Sequence, residues 1–134
     1  MKKRLVPGFM PVRMALGLVL LLGSLIMASH PAFAEEVPQV PVPGMVTMVD
    51  LGAKSCIPCK MMEPILAELE KEYEGRAAIV FIDVYKHHEQ VERFDLRAIP
   101  TQIFFDKNGR EVKRHMGFMD KASIEAELAK LGVK

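Results

Sequence analysis

The stretch "KSCIPCKMMEPI", residues 54–65, decides how this chain is read. It holds both cysteines of the chain, Cys56 and Cys59, separated by Ile57-Pro58. Upstream lies "MVTMVDLGA", residues 45–53, an apolar run rich in β-branched residues and bounded by glycine, which reads as a buried strand. Downstream, Met62, Ile65, Leu66, Leu69 and Tyr73 recur at i, i+3, i+4, i+7 and i+11, one face of a helix that ends near Gly75. Cys56 therefore falls between a strand and the start of a helix. Free N–H groups and the partial positive charge at a helix N-terminus favour thiolate over thiol and lower a cysteine pKa there. Cys59, one turn further in, is placed to attack a mixed disulfide from inside. Pro58 lacks an N–H that the first turn does not need. This is a redox dithiol reading of the pair.

Other uses of two cysteines stay open. A structural disulfide closing so short a loop constrains the unfolded chain little. Zinc wants four ligands, and His87, His88 and His115 do not sit at a paired spacing with the cysteines. The first two read as a solvated helix start and the third as a strand-surface residue. Copper(I) needs only two thiolates. Of ten methionines, Met1, Met10, Met14 and Met27 lie in the N-terminal leader, and Met48, Met61 and Met62 read as core. Met116 and Met119 alone could approach the cysteines.

The N-terminus sets the compartment. Lys2, Lys3, Arg4 and Arg13 precede the apolar run "MALGLVLLLGSLIMA" (14–28), followed by "SHPAFA" with small residues at Ala32 and Ala34. That is the pattern of a secretory signal peptide over residues 1–34. The run is shorter than the roughly 20 residues that span a bilayer; the alternative is an uncleaved anchor. Either way the body of the protein is expected outside the cytoplasm, in a periplasm or its equivalent. Residues 35–134 then carry 14 basic and 17 acidic side chains, a net charge of −3. That excludes the electrostatic footprint of a nucleic-acid binder. The chain from 35 on is long enough for one domain.

Residues 35–45, opening "EEVPQVPVPG", read as a Pro-rich arm or linker. Further on, "AAIVFIDV" (77–84) has the continuous apolar character of a central parallel strand, and "HHEQVERFDL" is a short helix. "TQIFFD" and "EVKRHM" flank the turn signal "KNG" as a hairpin. Asp120 is a candidate N-cap for a last helix with Ile124, Leu128 and Leu131 on one face. The order is β-α-β-α-β-β-α, an α/β domain over residues 46–134.

At this point the chain resembles the thioredoxin family over residues 46–133. "CIPCKMMEPIL" is similar to that family's active-site run, with Pro64 five residues after the second cysteine. Asp50, six before Cys56, matches the buried acid that takes the proton of the second cysteine. "AIPT" (98–101) matches the cis-proline loop, which makes Pro100 the cis-proline and the backbone of Ile99 a substrate contact. Gly117 matches a glycine of the same groove. The resemblance implies a thioredoxin-like fold with a central four-stranded mixed sheet in the order 2-1-3-4. It implies catalysis by Cys56, Cys59 and Asp50, with substrate bound along Ile57, Pro58, Ile99, Pro100 and Gly117. The redox-active disulfide is then the sole redox group, with no separate cofactor or metal. A buried carboxylate has a raised pKa and can act as general base.

The departures are Ser55 in place of the usual tryptophan, Ile57 in place of glycine, and Ile79 where the family places a lysine near the buried acid. The family's first strand and helix have no room, so the Pro-rich arm is expected where the extra strand runs. The implied function is a monomeric extracytoplasmic thiol–disulfide oxidoreductase. Its partners are protein disulfides and a membrane thiol-transport donor. The Ile-Pro pair resembles reducing members, which points to a reductase, for instance of cytochrome c maturation. A disulfide-donating oxidant and a copper(I) carrier on the same scaffold are the alternatives.

Overall fold

The computed structural model describes residues 36–134. The signal peptide read over 1–34 and the first residue of the arm, Glu35, lie outside the described residues. The elements run β1 (Thr47–Gly52), α1 (Ile57–Glu72), β2 (Ala78–Asp83), α2 (Glu89–Arg93), β3 (Thr101–Phe105), β4 (Glu111–Met116) and α3 (Lys121–Lys130). The sheet order is β2-β1-β3-β4, with β2 parallel to β1 and the other pairs antiparallel. This is an α/β thioredoxin-like fold around a four-stranded mixed sheet.

β1 is buried at all six positions. It pairs on both sides and is covered on both faces, so neither face of it meets solvent. Met48 and Phe104 point to one layer, with Met62, Leu66 and Leu69 of α1 and Ile124 and Leu128 of α3. Val49, Leu51, Ile103 and Phe105 point to the other, with Phe94 just after α2. The inward stripe of α1 is the one its spacing predicts: Met62, Leu66, Leu69 and Tyr73 are buried. Each such side chain contributes about 1.5–3 kcal/mol of transfer free energy. Met61, expected in the core, is instead 54% exposed. It precedes Met62 by one residue, about a hundred degrees round the helix, and so leaves the stripe. Met119 is buried, its N–H donating to the Met62 sulfur at 3.4 Å. It is core and not a side chain free to meet the cysteines.

One further expectation changes. β2 does not occupy the centre that its apolar run suggested; among the described residues it is an edge strand, in the 2-1-3-4 order that the resemblance implied. Its apolar run reflects layers above and below it, not strands on both sides. The arm forms no strand between residues 36 and 46. Pro38, Pro41 and Pro43 have no N–H to give a ladder. Yet the arm is anchored: Val40 is 1% exposed and packs with the Val49–Leu51 layer. The Arg93 guanidinium donates to the Val40 carbonyl at 2.6 Å, and the Val42 N–H donates to Thr47 Oγ1 at 3.0 Å.

Asp120 caps α3, accepting from the Ser123 N–H at 2.9 Å. Lys121 ties α3 to α1 through Glu68 at 2.6 Å and Glu72 at 2.8 Å. Leu131, expected on the α3 stripe, lies just past the helix as its C-cap and is half-buried.

Candidate active site

The loop leaving β1 delivers Cys56 to the N-cap of α1 in extended conformation, φ −85° and ψ 123°. There its sulfur accepts from the Cys59 N–H at 3.4 Å. Pro58 stands in the first turn, where no N–H is missed. Pro64, inside α1, removes a donor from the helical ladder. Cys56 and Cys59 form a disulfide with Cα atoms 5.2 Å apart. The two sulfurs differ in access: Cys56 is half-buried, whereas Cys59 is 1% exposed. An attacking partner thus meets Cys56 first. No acid lies in the first turn to oppose a thiolate there.

Beneath Cys59 lies β1. A Cβ built on Gly52 would stand 3.2 Å from the Cys59 sulfur and 3.1 Å from the Phe81 ring. Any larger residue here would press on both neighbours. Asp50 is two residues earlier, hence on the same face and about 6–7 Å lower along the strand. It is fully buried. Desolvation pushes its carboxyl from 3.8 up to about 6, and a hydrogen bond from Gln102 pulls the other way. Gln102 is its cross-strand neighbour on β3, and Nε2 donates to Asp50 Oδ1 at 2.6 Å. Asp50 Oδ2 and Gln102 Oε1 have no partner.

The position matched to the family's lysine is Ile79, opposite Met48, while Phe81 faces Asp50. The acid is thus bonded by an amide, not by a cation. Gln102 escaped the sequence reading. Its signal was a polar residue sharing a face with Phe104 inside "TQIFF", where the alternation calls for an apolar one.

The third part of the site comes from the loop before β3. Leu51 pairs with Thr101, so residues 98–100 lie level with Gly52, at the end of the sheet where α1 begins. The Ile99–Pro100 peptide bond is cis. Thr101 Oγ1 donates to the Ala98 carbonyl at 2.7 Å, and the Gly117 N–H donates to the Pro100 carbonyl at 2.8 Å. Gly117 has φ +98°, a conformation closed to most side chains. The Ile99 side chain packs into the layer with Val49 and Leu51, which leaves its backbone for any contact. Ile57 stands out at 75% exposure on α1, with Met61 exposed four residues on, and Met116 and Phe118 are exposed on either side of Gly117.

The arrangement is a one-sided dithiol: an accessible sulfur at a helix N-terminus, a covered sulfur behind it, and a proton-binding carboxyl on the strand beneath. Such a set can take electrons from, or give them to, another disulfide by two successive thiolate attacks.

The chain is similar to known proteins. The chain is 39% identical over 85 residues to thioredoxin of Staphylococcus aureus, covering 63% of this chain and 81% of the relative. A thioredoxin crystal structure from Nicotiana alata is 33% identical with a TM-score of 0.58, covering 65% of this chain and 73% of that one. The pneumococcal exposed lipoprotein thioredoxin of Streptococcus pneumoniae is 25% identical with a TM-score of 0.57, covering 65% and 85%. The thioredoxin family model matches residues 24–130, well over half of the chain. With its Cys56-x-x-Cys59 pair in place, this chain is a thiol–disulfide oxidoreductase acting on protein disulfides, and it belongs to the thioredoxin family.

Proposed function

We propose that this protein is an extracytoplasmic reductase of protein disulfides. In the reduced form the Cys56 thiolate attacks a target disulfide. A Cys56–target S–S bond forms, and the other target sulfur leaves as thiolate. Cys59 then loses its proton to Asp50 and attacks the Cys56 sulfur. The Cys56–Cys59 bond closes, and the second target sulfur leaves and is protonated. Two electrons pass to the target. The observation that carries these roles is the unequal burial of the two sulfurs above Gly52 and Asp50. The cis-proline loop and Gly117 offer backbone edges to an extended substrate, and Ile57, Pro58, Met116 and Phe118 flank them with apolar surface.

The compartment rests on the basic, apolar and A-x-A pattern of residues 1–34. A matched neighbour, described as an exposed lipoprotein thioredoxin, supports it. Outside the cytoplasm the disulfide must be reduced again by a membrane thiol carrier. Haem-attachment cysteines of cytochrome c maturation are the substrate class we favour. The test is the reduction potential of the Cys56–Cys59 pair. A value near about −270 mV makes it a reductant, whereas one near about −120 mV makes it a disulfide donor. A reduced protein that acts on a C-x-x-C-H peptide disulfide no faster than free thiol does removes the proposed target.

A further inference from the structure

The Asp50–Gln102 pair is short of one hydrogen. Gln102 Nε2 donates to Asp50 Oδ1, while Asp50 Oδ2 and Gln102 Oε1 remain without partners in a site with no solvent access. Two buried orphan acceptors are costly. A proton on Oδ2 turns one of them into a donor for which the other is the matching acceptor, since a carboxyl and a primary amide can exchange two hydrogen bonds. Ionised, the acid keeps the bond from Nε2.

We propose that Gln102 is a positioning residue of the redox reaction: its amide holds the Asp50 side chain beneath Cys59 in both protonation states. This rests on Asp50 being the proton acceptor of Cys59. It gives the chain a neutral substitute for a cationic partner. A lysine beside the acid would favour only the carboxylate. The amide serves the carboxylate and the carboxyl in turn, so taking the thiol proton requires no rearrangement.

The surroundings leave Gln102 as the polar partner. From β2, Phe81 is opposite Asp50; from α1, Cys59 lies against Gly52 on the same face of β1; on β3, Phe104 shares the face of Gln102. Lys54, Lys60 and Glu63, on the loop and helix above, are exposed. On β4, His115 pairs with Gln102 and is half-buried, its Nε2 lying 3.1 Å from the Phe118 carbonyl oxygen.

The direction of the effect follows from the bond that the structure shows: the donation from Gln102 Nε2 to Asp50 Oδ1 lowers the Asp50 pKa. Removing the amide should therefore move the Asp50 midpoint upward. The experiment is a carbon-13 carboxyl titration of Asp50 in the oxidised full-length protein, where the cysteines do not ionise. Alongside it runs the pH profile of the resolution step alone, the release of peptide thiol from a preformed Cys56–peptide mixed disulfide, in which Cys56 has no proton to lose. Gln102→Leu and the unbranched Gln102→Met, either of which suffices if the other misfolds, should move the carboxyl midpoint and the acidic limb of the profile upward together. Asp50→Asn should abolish that limb, and His115→Gln should leave the carboxyl midpoint in place. A midpoint unmoved in both Gln102 variants, with the limb lost in Asp50→Asn, overturns the role of Gln102 alone. A limb that persists in Asp50→Asn overturns the proton-acceptor reading and the proposal with it. An upward shift in His115→Gln matching that of the Gln102 variants assigns the effect to His115 and also overturns the proposal.

Discussion

Replacing Asp50 by asparagine should stabilise the folded protein, and the gain should depend on pH in one direction only. The carboxyl titrates near 3.8 in an unfolded chain and at about 6 in the native oxidised state, because burial disfavours its charge more than Gln102 restores it. Between those values the native state binds the proton that the unfolded chain releases. Native stability is therefore greatest below about pH 4, falls as pH rises towards 6, and stays reduced above it. Two pH units at about 1.4 kcal/mol each amount to about 3 kcal/mol lost at neutral pH. Asp50→Asn has no charge to bury and can still pair with the Gln102 amide, so it escapes that loss. With m near 1–3 kcal/mol/M, its urea midpoint should lie about 1–3 M above the parent's at pH 8 and converge with it at pH 4. The assay is urea denaturation of the oxidised proteins across that range. An offset independent of pH, or a variant less stable than the parent at pH 8, would refute a desolvated Asp50. The same variant should resolve mixed disulfides more slowly, because stability and proton acceptance make opposite demands on this side chain.

Cys59→Ser should leave Cys56 able to attack but not to be released, so a stable mixed disulfide with a target accumulates by mass spectrometry; Cys56→Ser should accumulate none. Gly52→Ala places a methyl 3.1–3.3 Å from Phe81 and Cys59. Overpacking of this kind costs about 1–3 kcal/mol and should also slow reduction of the disulfide by dithiothreitol, since the added atom presses on the leaving sulfur. Val40→Ala should lower stability by about 1–3 kcal/mol in thermal or urea unfolding, because the arm contributes this side chain to the core; an unchanged midpoint would make the arm a mere tether.

Periodicity located the elements well where a segment's surroundings are uniform. The α1 stripe from Met62 to Tyr73 and the cap at Asp120 are local features, set by 3.6-residue spacing and by one side chain reaching a backbone N–H three residues on. Met61 was misplaced because composition pointed inward while its angle on the helix pointed out. The arm was read from its prolines, which do prevent pairing, but proline says nothing of whether the valine between two of them meets a core. β2 looked central because a run apolar on both faces does not report how many strands flank it.

The sequence by itself determined the dithiol, its place between strand and helix, and the order of elements, since these depend on residue identity and short-range spacing. Its resemblance to the thioredoxin family marked Asp50, Pro100 and Gly117 as well. Only the tertiary structure decided that Cys59 rests on Gly52, that the Pro100 carbonyl and the Gly117 N–H join, and that Gln102 is the partner of Asp50. Asp50 and Gln102 are separated by 52 positions in the chain. Their meeting is set by antiparallel register, and register is a property of two strands packed in one sheet, which neither strand carries alone.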